Sequence, residues 1–378
     1  MLVGAIVVGI LARLWAQTRP PNWDFFQWIN VSEAALSGQD PYSLYGYNYP
    51  EPWLALLAAI NALTATPEAF RLVLASVLAV ADIAIALLLA RRGFTLAGCL
   101  FMLSPIVIGI SGQHQQVEGI AVALALGAMA VLMTAPDRSS IRGEWIAAGL
   151  LGLSLAFKPV FLILPLWLAL QPGALGRRAF RLLAPLGIFG VIFSISFLMY
   201  APNTVIGKVL GHGGANNSPV LQAFAPRQLA PWLLDQGVGK VLFVVLLVAC
   251  GLLFRRLPPF QLALAYSMTA VVFSWAMVNQ YLAGPMAAIA VSLNAGFAIW
   301  LVLASLYLAG DPAAFALEWV RPIQQHVFLD WEDAMLDLFP WFLIGWVVFV
   351  VSVRDPRRPC ALVNRAEGAD IPTEHARS

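Results

Sequence analysis

The sequence is short of charge. Of its 378 residues, 22 are Lys or Arg and 20 are Asp or Glu, 11% against the quarter usual in soluble domains. A soluble protein of this size could not cover its surface with so few charges, so a soluble enzyme is excluded. A disordered chain is excluded too, because 60% of the residues are hydrophobic. The net charge of +2 builds no field for phosphates, which excludes a nucleic-acid binder. Cysteine is also scarce: Cys99, Cys250 and Cys360 are scattered, with no CxxC or His-rich spacing to suggest a disulfide framework or a metal cage. Residues 1–15 lack a cleavage-site pattern and read as a retained first span.

What is present is apolar, with a mean hydropathy of +0.80. Runs such as 72–90, 238–254 and 341–353 are continuous, whereas barrel strands alternate. The expected fold is an all-α polytopic membrane protein. At about 20 residues per crossing it would have roughly nine to eleven spans. Residues 1–353 form one transmembrane domain, and 354–378 a polar, disordered cytoplasmic tail.

Basic residues mark the cytoplasmic side. They cluster at Arg91 and Arg92, at Arg138 and Arg142, at Arg177, Arg178 and Arg181, at Arg255 and Arg256, and at Arg354, Arg357 and Arg358. An even number of crossings must separate each pair of clusters. Segments 94–111 and 117–134 supply one pair of spans; 182–200 and 238–254 supply another. The stretch 144–170 is long for one span and short for two. Pro159 breaks the helical ladder there, which predicts two short helices meeting at Lys158 on the outer side. Segment 258–278 crosses outward, and 281–308 is either one long span or two short helices breaking near Asn294, parity favouring the two. The outer loops are then 17–52, 201–237 and 310–338.

Loop 17–52 is the most informative. It interleaves aromatics with four carboxylates, Asp24, Glu33, Asp40 and Glu51. Phe25, Phe26, Trp28, Ile29, Ala34, Ala35 and Leu36 fit an amphipathic interfacial helix ended by Gly38. A mere connector is usually shorter, so this is a candidate functional loop.

An acidic residue after the first span, an interfacial helix, then Gly38-Gln39-Asp40-Pro41-Tyr42 and Tyr47-Asn48-Tyr49-Pro50 together resemble the first outer loop of GT-C membrane glycosyltransferases. The chain is most similar to glycosyltransferase family 87, the polyprenyl-phosphate-mannose-dependent mannosyltransferases. It also resembles the catalytic subunit of the first mannosyltransferase of GPI synthesis. Further stretches match in order over residues 20–290. They are Leu103-Ser104-Pro105 with Gly112-Gln113-His114-Gln115, Lys158-Pro159 with Leu164-Pro165, Asn217-Ser218-Pro219, and Gln280-Tyr281-Leu282. The chain departs from the pattern at Asn22-Trp23-Asp24, where the GPI enzymes carry D-x-D. It departs again at Gln115, where the family often has Asp; Glu118 could stand in one turn on.

The resemblance implies inverting transfer of a hexose, most often mannose, from a polyprenyl-phosphate donor to a glycolipid or glycan acceptor. The active site would face away from the cytoplasm of a plasma (inner) membrane, among membrane lipid. Such a reaction needs a base for the acceptor hydroxyl and groups that hold the leaving phosphate. Asp24 is the candidate base; its bland alternative is to cap the helix that follows. Lys158 is the candidate phosphate ligand, or else a salt-bridge partner of Asp82 or Glu118. Gln113, His114 and Glu118 form a polar cluster for donor phosphate or sugar, or a polar helix start. His212 and Arg227 lie in a loop that is either phosphate-binding or simply flexible. Gln280 and Tyr281 either face the site or cap a helix.

For the acceptor the candidates are Asp40, which is equally a turn carboxylate, Tyr45, Tyr47 and Asn217. The tyrosines are sugar platforms or an aromatic belt, and Trp53 reads as belt. Asp82 reads as structural. No metal ligands and no cofactor are assigned; a divalent cation is left open. A competing reading is a transporter or a flippase of lipid-linked sugars, which would use broken helices near mid-membrane. The sequence has no internal repeat, and its polar residues gather at one face.

Overall fold

The computed structural model describes residues 1–44, 46–134, 141–200, 202–210, 218–226, 228–275, 279–311, 314–328 and 331–354; for 202, 203, 210, 279, 280, 331–336 and 354 it describes the backbone alone. Tyr45, His212, Asn217 and Arg227, the side chain of Gln280 and the tail beyond 354 therefore lie outside the described residues. The chain is about 80% helical, and no strand occurs among the described residues.

Among the described residues two helices are long and apolar enough to cross a membrane, Pro67–Arg91 and Leu175–Met199. Two bent pairs pass the same test when each is joined: Thr95–Leu103 with Pro105–Gln113, bent by 50°, and Ile141–Phe157 with Pro159–Leu170, bent by 116°. Seven further apolar helices have 10–17 residues, among them Leu2–Ala16, Glu118–Thr134, Val238–Phe254 and Ala295–Gly310.

The breaks have local causes. Proline drives the residue before it out of the helical region. Lys158 before Pro159 is extended at φ −156° and ψ 120°, and Ser104 before Pro105 has ψ 124°. The expected break at Lys158 is thus where the helix turns. The span expected over 94–111 instead bends at Ser104. Segment 281–308 divides as expected: Met286–Val291 ends, and the Asn294 side chain caps Ala295–Gly310 by accepting from the Phe297 N–H.

The expected amphipathic helix forms as Trp23–Leu36, with Gly38 just past its end at φ +73°. A positive φ suits glycine. Phe25, Trp28 and Val31 are buried against the rest of the chain, while Trp23, Phe26 and Leu36 are exposed. The helix leans on Glu51–Leu63, where the Asn61 side-chain amide donates to Ser32 Oγ at 3.0 Å. Trp53 corrects the belt reading. It is fully buried and stands edge-on to Trp28, with ring centres 5.5 Å apart. Aromatic rings are rewarded in a core as much as at an interface, so residue type alone did not discriminate.

Arg13 lies outside the basic clusters used for topology. Arg13 is buried inside Leu2–Ala16 and pairs with Asp82 on Pro67–Arg91. That pair supplies the partner Asp82 needed. Arg13 also donates to Ser111 Oγ at 3.0 Å, to Gly9 O and to Met102 O.

Candidate functional site

The site gathers where several helices begin or end. The first component comes from Asn22 and Asp24. Asn22, not Asp24, caps the Trp23–Leu36 helix: its Oδ1 accepts from the Phe25 N–H at 3.1 Å. That removes the capping explanation for Asp24. The Asp24 carboxylate, one helical position in, is partly exposed. Its Oδ2 accepts from Asn22 Nδ2 at 3.2 Å and lies 3.7 Å from His114 Nδ1.

Asn22 also fixes the proton on His114. Because its Oδ1 is the acceptor at the cap, the nitrogen 2.8 Å from His114 Nδ1 is a donor. The ring nitrogen facing it must then accept, so neutral His114 carries its proton on Nε2. That Nε2 is buried and has no hydrogen-bond partner among the described residues.

The second component is the segment Ile108–Gln113, a π-helical stretch. The wider turn shifts the side chains that follow out of α-helical register. Three groups hold it. Arg13 donates to Ser111; the Gln17 amide donates to Gly112 O; and Gln113 Nε2 donates to Pro20 O at 3.0 Å. Gly112 is needed for the close approach: a Cβ there would sit 3.3 Å from Arg13 Cα. Gln115 follows with φ +57°, an uncommon conformation for a non-glycine residue. It is fully buried. Its Nε2 donates to Arg71 O at 2.8 Å, and its carbonyl accepts from Trp28 Nε1 at 3.1 Å. The next side chain, Gln116, accepts from Tyr49 Oη at 3.0 Å.

The third component is an ion pair. Lys158, at the break before Pro159, pairs with Glu118 at the start of Glu118–Thr134; both are buried. Of the two salt-bridge partners weighed for Lys158, Glu118 is the one realised. Lys158 Nζ also lies 5.2 Å from the Tyr49 ring centre and 5.4 Å from that of Tyr281. Glu118 Oε2 has no hydrogen-bond partner among the described residues.

The structure thus brings together Asp24, Gln113, His114, Glu118, Lys158 and Tyr281 from five separate stretches. Asp40 does not face them as a free group. Its Oδ1 accepts from the Tyr42 N–H at 2.9 Å, which is the turn role. Tyr47 is fully buried, against Tyr42 at 5.2 Å and Tyr49 at 6.0 Å. Among the described residues no three His, Cys, Asp or Glu side chains are grouped to hold a metal ion.

Three polar residues that structure the site were not singled out from the sequence. In the sequence Asn22 stands only as the residue at the first position of the D-x-D pattern, where only the second Asp is kept. Arg71 is buried, donates to Gln17 O and Arg19 O, and sits 5.7 Å from the Phe25 ring centre. Glu51 begins its helix beside the tyrosines. Burial raises its carboxyl from the ordinary value to about 7 and pushes the Tyr42 and Tyr47 phenols up as well. The detectable signal was a charge set within an aromatic or apolar run.

No protein-family model matches the chain, and no curated protein matches its sequence. The chemistry must be argued from the site itself. It offers a carboxylate beside an imidazole, a buried N–H donor without a partner, and a lysine between two aromatic faces. Such a set can accept a proton on one side and hold an anion on the other.

Proposed function

We propose that this chain is a multi-pass membrane glycosyltransferase of the GT-C type. It transfers a hexose, mannose by the family resemblance, from a polyprenyl phosphate to a lipid-linked or glycan acceptor, on the side of a plasma (inner) membrane away from the cytoplasm. The observation that carries the reading is the separation of roles between Asp24 and Lys158. Asp24 is spared capping by Asn22 and remains partly open. Lys158 is buried at a helix break, between Tyr49 and Tyr281.

In this reading Asp24 takes the acceptor hydroxyl proton as its oxygen forms a bond to the anomeric carbon. The bond from that carbon to the phosphate oxygen breaks, and the phosphate leaves with the electron pair. The sugar is inverted in one displacement. Lys158 and the His114 Nε2–H stabilise the charge that grows on the phosphate. Glu118 keeps Lys158 in place until the donor enters. The apolar helices, with Leu175–Met199 the most exposed of the long ones, hold the polyprenyl chain and the bilayer.

A transporter would also use broken helices. The buried pair of Arg13 with Asp82 argues against that role, because Arg13 spends its donors on Asp82 Oδ2, Ser111, Gly9 and Met102 within the protein rather than on a cargo. The test is transfer of label from polyprenyl-phosphate mannose to a panel of glycolipid acceptors by purified protein. Asp24→Asn should lower transfer by about 10²–10⁴-fold with donor binding retained. Undiminished transfer by that variant would remove Asp24 as the base. Absence of transfer by the wild-type protein to every acceptor would overturn the enzyme reading.

A further inference from the structure

A second group of polar atoms stands apart from Asp24 and Lys158. Tyr47 Oη, Glu51 Oε2 and Trp53 Nε1 are all buried, and none has a hydrogen-bond partner among the described residues. Three orphaned polar atoms within seven residues are costly, since each gives up its water without replacement. Tyr47 and Trp53 are fully buried, whereas Glu51 and Tyr200 are only partly so and provide the opening.

The walls are aromatic. The Tyr42 ring centre lies 5.2 Å from Tyr47 and 5.3 Å from Tyr200, and Tyr49 lies 6.4 Å from Trp53. Glu51 opens the helix Glu51–Leu63 two residues after Tyr49 and two before Trp53, which puts its carboxylate in the same cluster. Tyr42 is itself tied to Ser196 at 3.4 Å, so its phenol is committed and its ring is fixed. Tyr49 is the shared wall: its hydroxyl reaches Gln116, and its ring faces Lys158 on the donor side.

From this geometry we infer that the cluster of Tyr42, Tyr47, Tyr200, Glu51 and Trp53 is a binding subsite for a neutral, hydroxyl-rich ring. Aromatic faces pack against the C–H side of such a ring. Glu51, Tyr47 and Trp53 supply an acceptor and two donors for its hydroxyls. Among the described residues no Lys or Arg pairs with Glu51, so an anionic ligand has no counter-charge there. Adjacency to the donor side through Tyr49 makes this the acceptor sugar's place. That last step rests on the transferase reading; the ring-binding subsite does not.

The experiment uses the full chain in a detergent without sugar groups. Binding of methyl mannoside and methyl glucoside is read by saturation-transfer NMR, and binding of a short-chain polyprenyl phosphate is read in parallel. Tyr47→Phe and Glu51→Leu should each weaken glycoside binding by about tenfold and leave polyprenyl-phosphate binding unchanged. Glu51→Gln, which keeps a donor and an acceptor, should stay close to wild type. If Tyr47→Phe fails to fold, the contrast between Glu51→Leu and Glu51→Gln decides. Wild-type protein that binds no glycoside, or variants that bind it equally well, overturn the subsite. Where transfer is measurable, the same variants should raise the acceptor KM and spare the donor KM. Glycoside binding that depends on Tyr47 in a protein with no transfer activity keeps the subsite and removes the transferase reading.

Discussion

Arg13 Nη2 lies 2.8 Å from Asp82 Oδ2, and each side chain is 2% exposed. The pair joins two helices 69 positions apart in sequence and, through Ser111, anchors the π-helical stretch that presents His114. Removing one partner leaves the other charge buried alone. Arg13→Met should therefore destabilise the protein by about 3–5 kcal/mol. The double variant Arg13→Met with Asp82→Leu should recover much of that loss. Denaturation in detergent, compared across the two single variants and the double, measures the coupling. Additive losses would show that the pair does not act as a unit.

How much of this was legible in the sequence depends on range. Prolines and an Asn cap announce helix breaks within a few residues, and the breaks at Lys158 and Asn294 fall where those signals lie. The gathering of Asp24, His114, Glu118 and Lys158 was foreshadowed by polar residues placed at helix ends. Partners were not legible. Nothing local distinguishes Asp82 from Glu118 as the counter-charge of Lys158, because the choice is made by tertiary packing. Nor does aromatic character separate a belt tryptophan from a core one, as Trp53 demonstrates. Arg13 was hidden by the apolar residues around it, which conceal a charge within a run of high mean hydropathy.

Glu118 and Lys158 compete with any anion for each other. If Lys158 holds the donor phosphate, removing its counter-charge should free it. Glu118→Gln should then tighten binding of a short-chain polyprenyl phosphate, and Lys158→Met should weaken it by tenfold or more, about 1.4 kcal/mol. Equal weakening by both substitutions would place Glu118, not Lys158, in contact with the donor. Affinities measured by calorimetry in the same detergent provide the comparison.

Gln115 reverses an ordinary preference. Its φ of +57° is strained for a side chain bearing a Cβ but open to glycine. Both Gln115→Ala and Gln115→Gly lose the bonds to Arg71 and Gln17. Only the glycine variant relieves the backbone. Gln115→Gly should be the more stable of the two by about 1 kcal/mol, the opposite of the order inside a helix. Equilibrium unfolding of both variants checks the sign; an alanine variant at least as stable as the glycine one would mean that the turn relaxes on substitution.

Glu51 ties stability to pH. Burial raises its carboxyl from an ordinary value of 4.5 to about 7. Below pH 4.5 the group is protonated in both folded and unfolded chains and contributes no difference. Between the two values the folded chain keeps a proton that the unfolded chain has released. Stability attributable to this group therefore falls as pH rises through that window, and the loss is complete above about 7. Glu51→Gln cannot ionise and escapes the loss. The apparent Tm of the variant should match wild type near pH 4.5, rise above it steadily to about pH 7, and hold a constant lead at higher pH. Scans at one fixed rate across that range measure the lead. A lead that is constant from pH 4.5 to 8, or that shrinks as pH rises, would mean that Glu51 is ionised in the folded protein throughout and that its second oxygen has found a partner.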